Sequence, residues 1–160
     1  MVMSSAPGAP LSRGRALLYG GLTVGILDIT NAFVFFGLRG GRPTRILQGI
    51  ASGLLGRASF DGGAATVALG AAIHFFIAFC VAGTYLALSR HVRVLAQRPL
   101  VCGPVYGLAV YAVMNLVVIP LSAIHRGPMT LPVLANGLLI HLLGVGLPSA
   151  LAARAAAPAA

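Results

Sequence analysis

The sequence contains no lysine and no glutamate, and its only acidic residues are Asp28 and Asp61. Charged residues make up 8% of its 160 positions, whereas a soluble domain carries about 25%. Hydrophobic residues make up 58%, and a water-soluble chain of this size needs far more polar surface. A soluble enzyme and a soluble binding module are therefore excluded. Disorder is excluded too, because disordered chains are poor in apolar residues.

Cysteine is also scarce. Cys80 and Cys102 are the only two, which is too few for a disulfide framework. No serine or cysteine is paired with a histidine in a pattern that indicates a nucleophile, so no catalytic residue is assigned. The sequence therefore predicts a protein that is not an enzyme.

All eleven basic residues are arginines, and they occur in small clusters between long apolar stretches. This pattern is typical of loops beside a membrane and not of a face that follows nucleic acid phosphates. Membrane lipids are the predicted partners and nucleic acid is not. The arginines predicted to contact lipid headgroups are Arg39, Arg42, Arg45, Arg90 and Arg93.

Four apolar runs are long enough to cross a bilayer. The first, about 23 residues, would extend about 35 Å as a helix, enough for a hydrocarbon core of about 30 Å. It is too long for a signal peptide and is expected to stay in the mature protein. The predicted spans are residues 16–38, 64–89, 100–124 and 131–153, within one transmembrane domain, 16–154. The third run ends at His125-Arg126, and Pro120 is expected to loosen its last turn.

The remaining segments complete the predicted architecture. Residues 1–15 form a polar, flexible lead, and residues 155–160 form a tail. Residues 44–56 are too short to cross and have Ile46, Leu47, Ile50 and Leu54 on one face, opposite Arg45, Gln48 and Ser52. This pattern indicates an amphipathic helix lying in the membrane interface. The fold class is an all-α, integral membrane four-helix bundle with this interfacial helix.

The arginine count gives six on the side of the N-terminus and five on the other. We favour a cytoplasmic N-terminus, because Arg13 and Arg15 adjoin the first span and the second loop is densely basic. The absence of lysine, with abundant alanine and glycine, suggests a GC-rich bacterial genome. The predicted location is therefore a bacterial inner membrane, which the chain crosses several times.

Each span carries one polar residue near its middle, namely Asp28, His74, Asn115 and His141. In an up-and-down bundle all four fall about 15 Å below the same membrane face, given a rise of 1.5 Å per residue. Small residues occur at helical spacing beside them, so these side chains are expected to face the bundle interior. Secondary candidates near this layer are Asn31, Tyr111 and Asn136.

Three interpretations of the polar layer stay open. The groups would act as interhelical hydrogen bonds that fix the register of the helices. Alternatively, Asp28 and the histidines would handle protons or cations in a small transporter or channel. Third, two histidines and a carboxylate are ligand types for an iron site, and two facing histidines suit a haem. No local spacing motif indicates a metal site, and the sequence predicts neither a metal nor a cofactor.

Several segments resemble a group of small uncharacterised bacterial inner-membrane proteins. They are ILQGIASGLLG (46–56), FDGG (60–63), IHFFIAF (73–79), GPVYGLAVYAVMNLVVIPLSA (103–123) and GLLIHLLGVGLP (137–148). The chain more distantly resembles the YagU-like inner-membrane family over residues 73–150. The positions that match this second pattern are His74, Tyr106, Pro120, Leu121 and His141. The resemblance implies a small helical membrane protein, and the link of YagU-like proteins to acid resistance would suit a titrating layer.

The sequence thus favours a structural or regulatory membrane component, with a transporter or channel as the alternative and a redox protein third. A homo-oligomer formed through exposed glycine-rich faces is left open.

Overall fold

The computed structural model describes residues 10–125 and 127–157, and this part of the chain is built from helices. Four of its helices are long and apolar enough to cross a membrane, which confirms the predicted all-α fold with four membrane-length helices. Span 1 is Arg13–Gly37, span 2 is Gly63–Leu88, span 3 is Pro99–Val118 and span 4 is Leu131–Ala155. The protein is therefore a multi-pass membrane protein.

The individual helices divide these spans further. Span 1 is helix α1, and span 2 is helix α3. Helix α2 (Pro43–Leu55) and a short 3₁₀ turn (Gly56–Phe60) lie between them. Helix α4 (Arg93–Gln97) precedes span 3, which consists of α5 (Pro99–Val113) and a π turn (Met114–Val118). Span 4 consists of α6 (Leu131–Ile140), a π turn (His141–Gly146) and α7 (Leu147–Ala155).

Span 1 starts earlier than predicted, inside the segment expected to be flexible. Its first residue is Arg13, because the Ser12 hydroxyl accepts from the Arg15 backbone N–H at 3.4 Å and caps the helix. The Leu11 backbone N–H donates to the Ala155 carbonyl at 2.8 Å, which ties this segment to the end of span 4. The expectation of a flexible lead is thus wrong for residues 11–15, and residues 1–9 lie outside the described residues.

Span 3 ends earlier than the predicted Ile124. Its last helical residue is Val118, and Pro120 cannot continue the helix because it has no backbone N–H. The following segment turns back toward α2, where the Ala123 N–H donates to the Gly53 carbonyl at 3.0 Å. Arg126 and residues 158–160 of the predicted tail lie outside the described residues.

Glycines allow the spans to approach closely, as the small-residue pattern predicted. Span 1 packs against span 2, where a Cβ atom at Gly25 would lie 2.6 Å from the Phe75 ring. Span 3 packs against span 4, where a Cβ atom at Gly107 would overlap the His141 carbonyl and lie 2.9 Å from the Leu142 Cα. Span 4 also packs against span 1 and against span 2.

Both π turns precede a proline. A proline ring clashes with the carbonyl four residues before it, and a widened turn moves that carbonyl aside. The turn at Met114–Val118 ends two residues before Pro120, and the turn at His141–Gly146 ends two residues before Pro148. These two turns contain Asn115 and His141, two of the four predicted polar residues. Single π turns often occur at functional sites.

Helix α2 presents its polar face to the protein. Gln48 and Ser52 are buried, and the Gln48 amide donates to the Thr66 hydroxyl of span 2 at 3.3 Å. Leu54, on the other face, is 70% exposed. The predicted helix is present, but Gln48 and Ser52 of its polar face pack inward, and only Arg45 of that face is exposed. Leu54 is directed outward, whereas the other three residues of the apolar face, Ile46, Leu47 and Ile50, are half-buried.

Candidate functional site

His74 of span 2 connects to span 1 through both of its ring nitrogens. Nε2 lies 2.8 Å from the Gly25 carbonyl oxygen, and Nδ1 lies 3.9 Å from Oδ2 of Asp28. Gly25 and Asp28 are one helical turn apart on α1, so they lie on one face and reach the same imidazole. The side chain of His74 is 10% exposed and that of Asp28 is 31% exposed.

The geometry of His74 fixes part of its protonation. A carbonyl oxygen only accepts hydrogen bonds, so Nε2 must carry a proton and donate it to Gly25. In neutral imidazole Nδ1 is then the acceptor nitrogen, and it faces the Asp28 carboxyl group at 3.9 Å, which is longer than a hydrogen bond.

His141 lies at the start of the π turn in span 4. Its Nδ1 donates to the Gly137 carbonyl at 2.9 Å, so Nε2 is the nitrogen left for other contacts. Its ring meets the Tyr111 ring of span 3 edge to face, with centroids 5.2 Å apart. His141 therefore connects span 4 to span 3, whereas His74 connects span 2 to span 1.

Asn31 and Asn136 form a reciprocal pair between spans 1 and 4. The Asn31 amide donates to Oδ1 of Asn136 at 3.1 Å, and the Asn136 amide donates back to Oδ1 of Asn31 at 2.9 Å. Each side chain thus uses one donor and one acceptor on the other. Both residues were secondary candidates in the sequence, and the structure brings them into direct contact.

Asn115 is placed differently from the other predicted residues. Its amide donates to the Tyr111 carbonyl at 2.9 Å, one turn earlier on the same span. This bond does not connect Asn115 to Asp28 or His74. The structure therefore brings His74 to Asp28, joins Asn31 to Asn136 and places His141 against Tyr111.

The interpretation of the layer as a metal site finds no supporting cluster. Within residues 10–125 and 127–157, no three or more His, Cys, Asp or Glu side chains are grouped so that they could hold a metal ion. One nitrogen of each candidate histidine is already directed at a backbone carbonyl.

Two tyrosines contribute polar bonds that the sequence did not single out. The Tyr106 hydroxyl of span 3 donates to the Val81 carbonyl of span 2 at 2.8 Å. The fully buried Tyr85 donates to the Leu95 carbonyl of α4 at 2.9 Å, and the two rings meet edge to face. Periodicity does not reveal such bonds, because their acceptors are backbone carbonyls. The signal that could have indicated Tyr106 is its position one residue before Gly107, where spans 3 and 4 meet.

The predicted headgroup arginines fall at two ends of the bundle. Near the end of span 1, Arg39 donates to the Phe35 carbonyl at 2.8 Å and lies 3.7 Å above the Phe35 ring. Arg45 donates to the Phe60 carbonyl at 2.8 Å, and Arg42 is exposed at the start of α2. Arg90 and Arg93 line a cavity at the opposite end.

The chain matches no protein-family model, no curated protein and no solved structure at a significant level. The resemblance to YagU-like proteins therefore stays a prediction.

Proposed function

We propose that this protein is a structural or regulatory, non-enzymatic component of a bacterial inner membrane. The observation that carries the proposal is the reciprocal amide pair between Asn31 and Asn136. A neutral pair of this kind holds no exchangeable charge, so its physical effect is to fix one helix against another. The compartment is inferred from the composition, in which arginine is the only basic amino acid besides histidine.

Other polar side chains support the same role, because each one joins a different pair of spans. Asn31 joins spans 1 and 4, His74 joins spans 2 and 1, and Tyr106 joins spans 3 and 2. Close packing at Gly107 joins spans 3 and 4. Four pairs of spans therefore each have a contact that sets their register, and a shift by one turn would break it.

The test is to compare fold stability with transport in the same purified protein. The protein and the variants N31A and H74A would be reconstituted in liposomes that contain a pH-sensitive dye. We expect both variants to unfold more easily in detergent, while no variant changes the proton permeability of the liposomes. A proton flux that depends on His74 but not on Asn31 would overturn the structural proposal.

A proton-exchanging role is the second candidate, and the position of Asp28 favours it. The carboxyl group lies 3.9 Å from Nδ1 of His74, and the other nitrogen of that imidazole is fixed on the Gly25 carbonyl. A proton on Nδ1 of His74 would move to the Asp28 carboxyl group and back, which exchanges a proton between spans 2 and 1.

The matched control for this candidate is the only other carboxylate in the chain. Asp61 is exposed and precedes span 2. A flux that is lost in D28N and retained in D61N would establish proton exchange. Equal flux in the wild-type protein, D28N and D61N would reject it.

A further inference from the structure

A cavity of about 590 Å³ opens at the end of the bundle where span 1 begins and spans 2 and 4 end. Its basic lining residues are Arg13, Arg90, His91 and Arg93. Such a volume lies in the range of small-ligand sites, about 300–1,000 Å³, and exceeds what a single small inorganic ion needs.

The walls of the cavity are fixed to one another. The Leu11 N–H bonds the Ala155 carbonyl at 2.8 Å and holds the start of span 1 against the end of span 4. The hydroxyl of the fully buried Tyr85 bonds the Leu95 carbonyl and holds α4 against span 2. The arginines therefore extend from a frame that is already assembled, which lowers the cost of ordering them around a ligand.

In residues 10–125 and 127–157, no acidic side chain compensates the charge in this cavity. Within the described residues, the guanidinium groups of Arg13, Arg90 and Arg93 have no hydrogen-bond or ion-pair acceptor. None of the described lining residues is acidic, Asp28 lies beside His74, and Asp61 lies at the other end of span 2. Arg39 and Arg45, at that other end, donate to backbone carbonyls. The two basic ends of the bundle thus differ in the described residues: two of the four arginines at one end are bonded to carbonyls, whereas Arg13, Arg90 and Arg93 at the other are not.

We propose that this cavity binds a phosphate-bearing anion through Arg13, Arg90 and Arg93. The guanidinium group offers paired N–H donors that match two phosphate oxygens, and several such groups around one cavity select for phosphate. Because the cavity lies where three membrane-spanning helices begin or end, its depth is that of lipid headgroups. Leu86 and Ala153 add apolar lining that suits the glycerol part of a lipid. The phosphate can belong to an anionic lipid or to a free phosphate compound, and the test separates the two.

The test uses the full chain in detergent micelles, titrated separately with dihexanoyl phosphatidic acid, dihexanoyl phosphatidylcholine and inorganic phosphate. The cavity variant is R90Q/R93Q, and the control R39Q/R42Q removes the same charge at the opposite end. Because the cavity variant loses two charge-assisted contacts, we expect its affinity for phosphatidic acid to fall roughly tenfold or more, while the control binds like the wild type. R13Q, checked for native helix content by circular dichroism, should also bind phosphatidic acid more weakly than the wild type.

Binding of phosphatidic acid without binding of inorganic phosphate would identify a lipid site. Binding of both with similar affinity would identify a site for free phosphate compounds. Equal affinity of the wild type, R90Q/R93Q and R13Q for phosphatidic acid would overturn the proposal. An equal loss in the cavity variant and in R39Q/R42Q would overturn it as well, because general attraction by positive charge would then explain binding.

Discussion

Nδ1 of His74 lies 3.9 Å from Oδ2 of Asp28, while Nε2 of the same ring donates to the carbonyl of Gly25. A single imidazole thus satisfies a backbone acceptor and faces the only carboxylate within a membrane span. An isolated carboxylate at this depth costs roughly 2.5–3.5 kcal/mol on insertion scales. His74 offsets part of that cost, which explains how the bundle accommodates Asp28 inside the membrane.

Replacing His74 should therefore destabilise the protein more than replacing Asp28. In H74A the Gly25 carbonyl loses its side-chain donor and Asp28 loses the imidazole that faces it. We therefore expect the free energy of unfolding to fall by about 1–3 kcal/mol. D28N keeps the shape and can donate from its amide to Nδ1, so we expect a change within about 0.5 kcal/mol. Unfolding in mixed micelles with increasing dodecyl sulfate measures both values. Similar losses in the two variants would contradict this account of the pair.

Asn31 and Asn136 should show energetic coupling. A double-mutant cycle with N31A, N136A and the double variant isolates their interaction, because each single change leaves the other amide without its partner. We expect a coupling energy of about 0.6–1.7 kcal/mol, the range from typical to largest for polar pairs between membrane helices. The same unfolding measurement applies. Additive losses would mean that the two amides do not depend on each other in the membrane.

The contact between spans 3 and 4 should not tolerate a methyl group at Gly107. A Cβ atom there would overlap the His141 carbonyl, which is backbone and cannot rotate away. We therefore expect the free energy of unfolding of G107A to be about 1–3 kcal/mol lower than that of the wild type. Gly49, in the interior of α2, is the matched control because no atom lies within 4 Å of a Cβ atom built there. The free energy of unfolding of G49A should rise by about 0.5–1 kcal/mol, because alanine has a higher helix propensity than glycine. Thermal unfolding of the two variants in detergent should therefore shift in opposite directions, and a shared direction would contradict the packing.

The outward face of α2 should contact lipid. Because the chain has no tryptophan, one introduced residue reports its own surroundings. We expect the fluorescence of L54W to be quenched by lipids with brominated acyl chains, whereas Y85W, at a fully buried position, should be protected. Quenching of L54W by aqueous iodide and not by brominated lipid would place this face in water.

The parts of the fold that depend on length and apolarity could be predicted from the sequence. Runs of apolar residues locate four spans because any membrane helix must cover the same thickness. The inward direction of Asp28 and His74 follows from the cost of exposing them to lipid. The neighbours of each helix could not be predicted, because periodicity gives the face of a helix but not the helix that covers it. The acceptor of His74 was missed for the same reason, since Gly25 contributes a carbonyl and not a side chain.

The orientation of α2 also escaped prediction, because amphipathicity alone does not say which face meets the protein. Gln48 and Ser52 are buried, and their side chains donate hydrogen bonds to Thr66 and to the Gly49 carbonyl. These bonds lower the cost of burying them. The two π turns had a sequence signal in Pro120 and Pro148, but the pattern of apolar residues does not change where a turn widens.

Polar side chains in the middle of the membrane meet one another across spans. Solid-state NMR of the protein in lipid bilayers tests this arrangement, with asparagine side chains labelled with ¹⁵N at the amide and ¹³C at the carbonyl. The chain has three asparagines, so few signals need assignment, and N115S removes one of them. We predict a dipolar coupling between the Asn31 amide and the Asn136 carbonyl group, consistent with their hydrogen bonds of 2.9 and 3.1 Å. The absence of any coupling between these two side chains in a folded, bilayer-embedded sample would contradict the account.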